Sequence, residues 1–284
     1  MRKILYLSIY IASFAVLCAC GGKKSQNSNT IYVSIAPLKP IVEGIVGDDY
    51  AIEVLVPAGA SPETFEPTAK QFIALNEAKI IFGTGLLDFE KSLLARIHDQ
   101  SKVVNLSNGI ETIAGSCSHT HHGRHCHHGV DPHIWCSPKS IKIMAQNAYA
   151  AICATISGKK YRDSYAALNE KIAELDSDVE AMCSSAALPY FIIYHPALTY
   201  LARDYNLEQV AIENEGKEPS AKRIAEIIER GRRSGVKRVF YQSEFPQSSV
   251  GVVAEDIGAE AVEINPLGEN IFENLRHITA LITE

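Results

Sequence analysis

Lys160-Tyr-Arg-Asp-Ser-Tyr-Ala-Ala-Leu-Asn-Glu-Lys-Ile-Ala-Glu-Leu-Asp-Ser-Asp-Val-Glu-Ala-Met-Cys183 carries a single apolar stripe. Tyr161, Tyr165, Leu168, Ile172, Leu175, Val179 and Met182 recur at alternating spacings of four and three, which predicts one face of a long α-helix. At 1.5 Å per residue it is roughly 35 Å long. The stripe covers only about three heptads, too few for a coiled coil, so it predicts a single helix packed on a core. Gly158 precedes it and Pro189 follows it.

On either side of this helix the pattern changes to short apolar runs separated by helical segments. Upstream the strand-like runs are Ile31–Ile35, Ile52–Val56, Ile80–Phe82 and Val103–Leu106. Downstream they are Phe191–Tyr194, Val239–Tyr241 and Ala261–Ile264, alternating with helices over 197–204, 221–232, 249–257 and 271–282. Such alternation predicts βα units and parallel sheets. The expected fold is α/β: an N-terminal lobe over 31–157, a linking helix within 158–186, and a C-terminal lobe over 187–284. No Gly/Ser-rich linker joins them, so large hinge freedom is not implied.

The first residues are set apart from this fold. Arg2 and Lys3 precede the apolar run Ile4–Leu17, which reads as a secretory signal over 1–19, too short for a membrane span. Leu17-Cys18-Ala19-Cys20 resembles a bacterial lipobox. Cleavage before Cys20 and acylation of its sulfur would leave a polar tether over 20–30 and hold the body at a membrane surface. A net charge of −6 with no long basic run argues against a nucleic-acid partner. Of the seven cysteines, Cys117, Cys126, Cys136, Cys153 and Cys183 lie beyond the signal, and they form no CxxC pair. Zinc ribbons and thioredoxin-type sites are therefore not indicated. Cys153 and Cys183 are expected as core thiols.

Residues 115–129 are a low-complexity, glycine-flanked run holding His119, His121, His122, His125, His127 and His128. Being internal and interrupted, it is no expression tag, and it predicts a surface loop that collects metal weakly. A loop of this kind defines no ligand geometry. Cys117 and Cys126 either add soft donors there or pair as a disulfide. Better placed are two motifs beside strand or loop ends, Asp131-Pro-His-Ile-Trp135 and Tyr194-His-Pro196. Ligands of open α/β sheets gather beyond the carboxyl ends of strands. His133 and His195 belong to different lobes, so a cleft between lobes would bring them together. Imidazole and carboxylate are the expected Zn²⁺ donors where thiolates are absent. Asp131 is placed to fix the second nitrogen of His133. A hydrolase has little support: neither G-x-S-x-G nor H-E-x-x-H occurs.

Val33-Ser-Ile-Ala-Pro-Leu38, Val56-Pro-Ala-Gly-Ala-Ser-Pro62, the His-rich run, Asp131-Pro-His-Ile-Trp135, Tyr194-His-Pro-Ala-Leu198 and Ile264-Asn-Pro-Leu-Gly268 occur in this order. The combination resembles the zinc/manganese substrate-binding lipoproteins of bacterial ABC transporters, the cluster A-I metal receptors. Glu213–Ser220 also looks like a family segment lining the cleft. The resemblance implies two lobes joined by a rigid helix with the metal between them, a monomeric receptor, and delivery to an ABC permease and its ATPase. It implies that His133 and His195 are ligands, and that Glu63 stands where the family's first histidine ligand follows Ala-Ser-Pro. Asn265 and Glu269 are the nearby options for a fourth ligand, with water or a second carboxylate oxygen as the others. The His-rich run looks like the zinc branch. Glu63, a harder donor than imidazole, keeps Mn²⁺ or Fe²⁺ as the alternative cargo. An adhesin-like lipoprotein with a structural metal is the remaining alternative.

Overall fold

The computed structural model describes residues 29–115, 129–213, 219–245 and 247–284. The expectations for the signal segment, Cys20 and most of the tether lie outside the described residues. So do those for Cys117, Cys126 and the six histidines of the His-rich run. Among the described residues no helix is long and apolar enough to cross a membrane.

Two four-stranded parallel sheets form the frame. The first contains β1 (Thr30–Val33), β2 (Ala51–Val54), β3 (Ile80–Gly83) and β4 (Val103–Asn105) in the order β2-β1-β3-β4. The second contains β5 (Tyr190–Ile193), β6 (Glu208–Ala211), β7 (Arg238–Gln242) and β8 (Glu260–Ile264) in the equivalent order β6-β5-β7-β8. In each sheet the chain starts centrally, moves to one side, and then crosses to the other. A switch point therefore lies between β1 and β3, and another between β5 and β7. Central strands β3 and β5 are buried along their whole length, as continuous apolar runs in parallel sheets covered on both faces must be.

The helices are α1 (Lys39–Val46), α2 (Ala69–Glu77), α3 (Asp88–Leu94), α4 (Pro138–Ile152), α5 (Arg162–Ser184), α6 (Thr199–Asp204), α7 (Ala221–Ser234), α8 (Ser248–Ile257) and α9 (Ile271–Thr283). The 23-residue α5 buries Leu168, Ile172, Leu175, Val179 and Cys183, the middle of the predicted stripe. It packs on α1 and α4 from one half and on α9 from the other. Polar ties reinforce the second junction: Tyr205 Oη donates to Asp176 Oδ1 at 2.5 Å, and Arg276 Nε donates to Asp178 Oδ2 at 2.6 Å. Gly44 permits close crossing of α1, since a Cβ there would lie 3.0 Å from Leu168 Cδ1. Helix α4 ends at Ile152. A π-turn over Cys153–Ser157 and a 3-10 turn over Gly158–Tyr161 then reverse the chain.

Side-chain alternation along β5 divides the core. Phe191 and Ile193 join one continuous core reaching from Ile31 and Val33 through α5 to Phe272 and Leu275. Tyr190 and Ile192 face the opposite side, where Val210, Val239 and Ile257 form a second, smaller core. A core shared by both sheets ties the two halves mechanically. Cys183 sits in it, and burial pushes its thiol up to about 11. Cys153, expected in the core, is only half-buried.

Three elements lacked a sequence signal. β6 is an edge strand with one buried residue, Val210, so Glu208-Gln-Val-Ala211 shows no apolar run. Helices α2 and α3 are short, with polar residues breaking up their apolar positions. A capping box at Thr68 and Gln71 starts α2. The α3 residue Glu90, 1% exposed, closes the β3–α3 loop: it accepts from Thr84 N at 2.9 Å, Thr84 Oγ1 at 2.6 Å and Gly85 N at 2.7 Å. Glu90→Ala strips these donors of their acceptor in a buried setting. Unfolding titrations of metal-free protein should show a loss of about 3 kcal/mol. A loss below about 1 kcal/mol would mean that the loop re-satisfies itself.

Candidate metal centre

Three connecting segments that follow β2, β4 and β5 converge on one pocket. Glu63 lies in the loop after β2, whose backbone turns as Glu63 N donates to Ser61 Oγ at 3.3 Å. His133 follows β4 and starts the 3-10 turn Ile134–Cys136. His195 lies two residues past β5, before Pro196. The pocket is walled by Pro62, Leu87, Trp135, Phe245, Pro266 and Leu267, from both halves.

His133 Nε2 and His195 Nε2 stand 3.3 Å apart, and His195 Nε2 stands 3.2 Å from Glu63 Oε1. The donor atoms of Glu63, His133 and His195 all lie within 4.8 Å of one another. With metal–donor bonds of about 2.0–2.1 Å, a tetrahedron has edges of roughly 3.3 Å. These two separations thus match the spacing around one four-coordinate ion.

Each imidazole has a carboxylate behind it. His133 Nδ1 is 2.9 Å from Asp131 Oδ1, which also accepts from the His133 backbone N at 2.9 Å. His195 Nδ1 is 3.1 Å from Glu213 Oε2. Such partners leave the far nitrogen, Nε2, aimed at the pocket. Tyr200 on α6 holds the first pair in place: its Oη donates to the Asp131 carbonyl at 2.7 Å. Trp135 packs against His133 with ring centroids 5.2 Å apart. Its indole N donates across the cleft to the Pro266 carbonyl at 3.0 Å. Phe245 stacks on His195 at 5.3 Å.

Charge in this pocket is unbalanced towards the negative. Burial pulls the His195 pKa down, but hydrogen bonds to Glu213 and Glu63 outweigh it and raise the group to about 9. The hydrogen bond from His195 in turn lowers Glu63. Burial pushes Asp131 up, yet its bonds to His133 carry the net shift downward. Three carboxylates around two imidazoles form a site that attracts a cation and repels anions.

Glu63, His133, His195 and Asp131 are therefore together. Asn265 and Glu269 are not with them. They line an adjoining pocket with Ala36 and Gly59, and Asn265 Oδ1 is committed to the Leu267 backbone N at 3.0 Å. In this structure the Asn265 side chain serves a local turn. Sequence reasoning placed Glu213 in the cleft without a role and missed Gln242 and Phe245. Glu213 lies two residues past β6, the strand without an apolar signal, so its partnership with His195 was hidden.

A two-lobed α/β frame with imidazole and carboxylate donors meeting between its sheets defines a cleft-type metal-binding protein. The family model for ZnuA, the periplasmic zinc-uptake complex component A, matches residues 31–284, and the chain belongs to that family. It is 29% identical over 282 residues to the zinc-binding lipoprotein AdcA of Streptococcus pneumoniae strain R6. That match covers 94% of this chain and 56% of AdcA, so the chain spans about half the length of such relatives. It is 26% identical over 264 residues to a putative metal-binding protein of Treponema pallidum strain Nichols, covering 87% and 84% of the two chains. Among solved structures it resembles a zinc-bound ZnuA deletion mutant, with 30% identity and a TM-score of 0.81 over 90% of this chain and 97% of that one.

Proposed function

We propose that this chain is an extracytoplasmic receptor that captures Zn²⁺ and delivers it to an ABC permease, whose ATPase drives import. The observation that carries this is the convergence of the donor atoms of Glu63, His133 and His195 within 4.8 Å of one another, two of the three separations at tetrahedral spacing, in a chain of the zinc-uptake family. These three residues are the proposed ligands, with Asp131 and Glu213 orienting the two imidazoles. The zinc named in the descriptions of AdcA and of the ZnuA mutant supports that cargo. Two neutral imidazoles and one carboxylate are a borderline-soft set, which favours Zn²⁺ over Mn²⁺. The protein acts by binding and release rather than by catalysis. Acylation at Cys20 would tether the monomer to the membrane, and residues 115–129 would gather zinc loosely near the cleft.

Metal-free protein titrated with Zn²⁺ and Mn²⁺ against competing chelators tests the proposal. One tight Zn²⁺ site is expected, with weaker Mn²⁺. Zinc at a thousandfold excess over its Kd should add about 4 kcal/mol of stability. Tighter Mn²⁺ binding would make manganese the cargo. Because both cores are apolar and continuous without the site, far-UV circular dichroism should be unchanged after chelation. Unfolding on metal removal would favour a structural metal instead.

A further inference from the structure

Gln242 ends β7 at the pocket and is 2% exposed. Its Nε2 donates to the backbone carbonyl of His195 at 2.7 Å. That carbonyl can only accept, which fixes the orientation of the carboxamide: nitrogen towards His195, oxygen away from it. The oxygen, Oε1, is fully enclosed and has no hydrogen-bond partner among the described residues. Buried acceptors in folded proteins nearly always have a donor, so an orphan beside a metal pocket calls for one. Ser34 Oγ and Thr279 Oγ1 are also enclosed and unpartnered, but neither lines this pocket.

Three protein donors leave one position open on a four-coordinate ion, and water is the usual occupant. A water on a divalent cation is a strong donor with two protons to place. An amide oxygen is a weak competitor for Zn²⁺ beside imidazole and carboxylate, but a good acceptor for such a water. We infer that Gln242 is a positioning residue whose Oε1 accepts a hydrogen bond from the water completing the coordination of an ion held by Glu63, His133 and His195. This rests on the metal-receptor reading above. The same carboxamide holds the backbone of His195, so one side chain on β7 aligns both a ligand and the water. Neither Asn265 nor Glu269 is then needed as a fourth ligand.

Two measurements test the inference. In a structure of the zinc-loaded, unmodified protein, a zinc-bound oxygen should lie within hydrogen-bond distance of Gln242 Oε1. Zinc bound directly to Oε1, or to both Glu63 oxygens with no water, would overturn it. In Gln242→Leu, one ion should still bind, but about tenfold more weakly, as for other partners behind metal ligands. The visible bands of the Co²⁺-loaded variant should shift as the water loses its anchor. A purely structural role for Gln242 would instead lower the melting temperature of metal-free protein and leave zinc affinity and the Co²⁺ bands unchanged. If the unmodified protein takes zinc at the cluster and Gln242→Leu matches it in both readouts, this inference alone fails. If the unmodified protein takes no zinc there, the receptor reading fails as well.

Discussion

Replacing His133 or His195 by alanine should weaken zinc binding by between a hundredfold and a thousandfold. Apparent zinc-binding free energies in small protein sites run at about 10–16 kcal/mol. Shared over four donors, that is roughly 3–4 kcal/mol each, and every 1.4 kcal/mol is tenfold. Both variants should fold, because neither His133 nor His195 is a member of the two apolar cores. Their side effects should differ. His195 separates two carboxylates, Glu63 and Glu213, and Glu213 is 5% exposed. Removing the imidazole leaves Glu213 facing an enlarged pocket without that partner, so His195→Ala should also lower the melting temperature of metal-free protein. In His133→Ala, Asp131 Oδ1 keeps the backbone N–H of residue 133 as a donor, and the melting temperature should move less. Chelator competition on both variants checks the first claim and thermal melts the second. Tight zinc binding within tenfold of the unmodified protein in both variants would move the site elsewhere, with residues 116–128 first in line.

The two histidines were legible because the chemistry and the topology agree locally. Each follows a strand or loop end, and each neighbours a proline. The apolar stripe of α5 was legible for a simpler reason: a helix packed along its length on one shared core must repeat its apolar residues along that length. Glu63 was read from resemblance, since a glutamate in a proline-bounded loop shows no ligand signature of its own. Glu213 and Gln242 belong to a harder class. Their roles come from which strand ends lie next to β5, and strand order is a long-range property that no local pattern encodes. Gln242 reads locally as the polar residue that ends an apolar strand. Asn265 and Glu269 follow β8 near the cleft in sequence terms, and no local pattern shows that the Asn265 side chain accepts from the Leu267 backbone in a turn.

Zinc affinity should fall about tenfold for each pH unit below 9, down to the range where further groups titrate. In the metal-free protein, burial opposes the charge on His195, but Glu213 and Glu63 more than compensate and hold the imidazolium up to about 9. At pH 7 the metal-free site therefore carries a proton on His195. The Nε2 edge of that ring faces Glu63 Oε1, and it is the same edge that must give its lone pair to the ion. Loading exchanges one proton for one cation, and mass action makes higher pH favour the loaded state. The sign is opposite to nothing else in the pocket: Glu63 and Asp131 are both shifted downward and stay ionised in this range. Calorimetry at pH 7 in buffers of different ionisation enthalpy should count about one released proton, and competition at pH 6, 7 and 8 should give the slope. An ordinary histidine, titrating near 6.5, would leave affinity almost flat between pH 7 and 8, and that result would mean His195 is neutral before zinc arrives. Glu213→Gln separates the two cases further. It removes the first of the hydrogen-bonded carboxylates that raise His195, so the break in the pH profile should move down towards the ordinary histidine value while Glu63 remains as a ligand. Glu213 would then set the pH at which this pocket holds zinc without being one of the three proposed ligands.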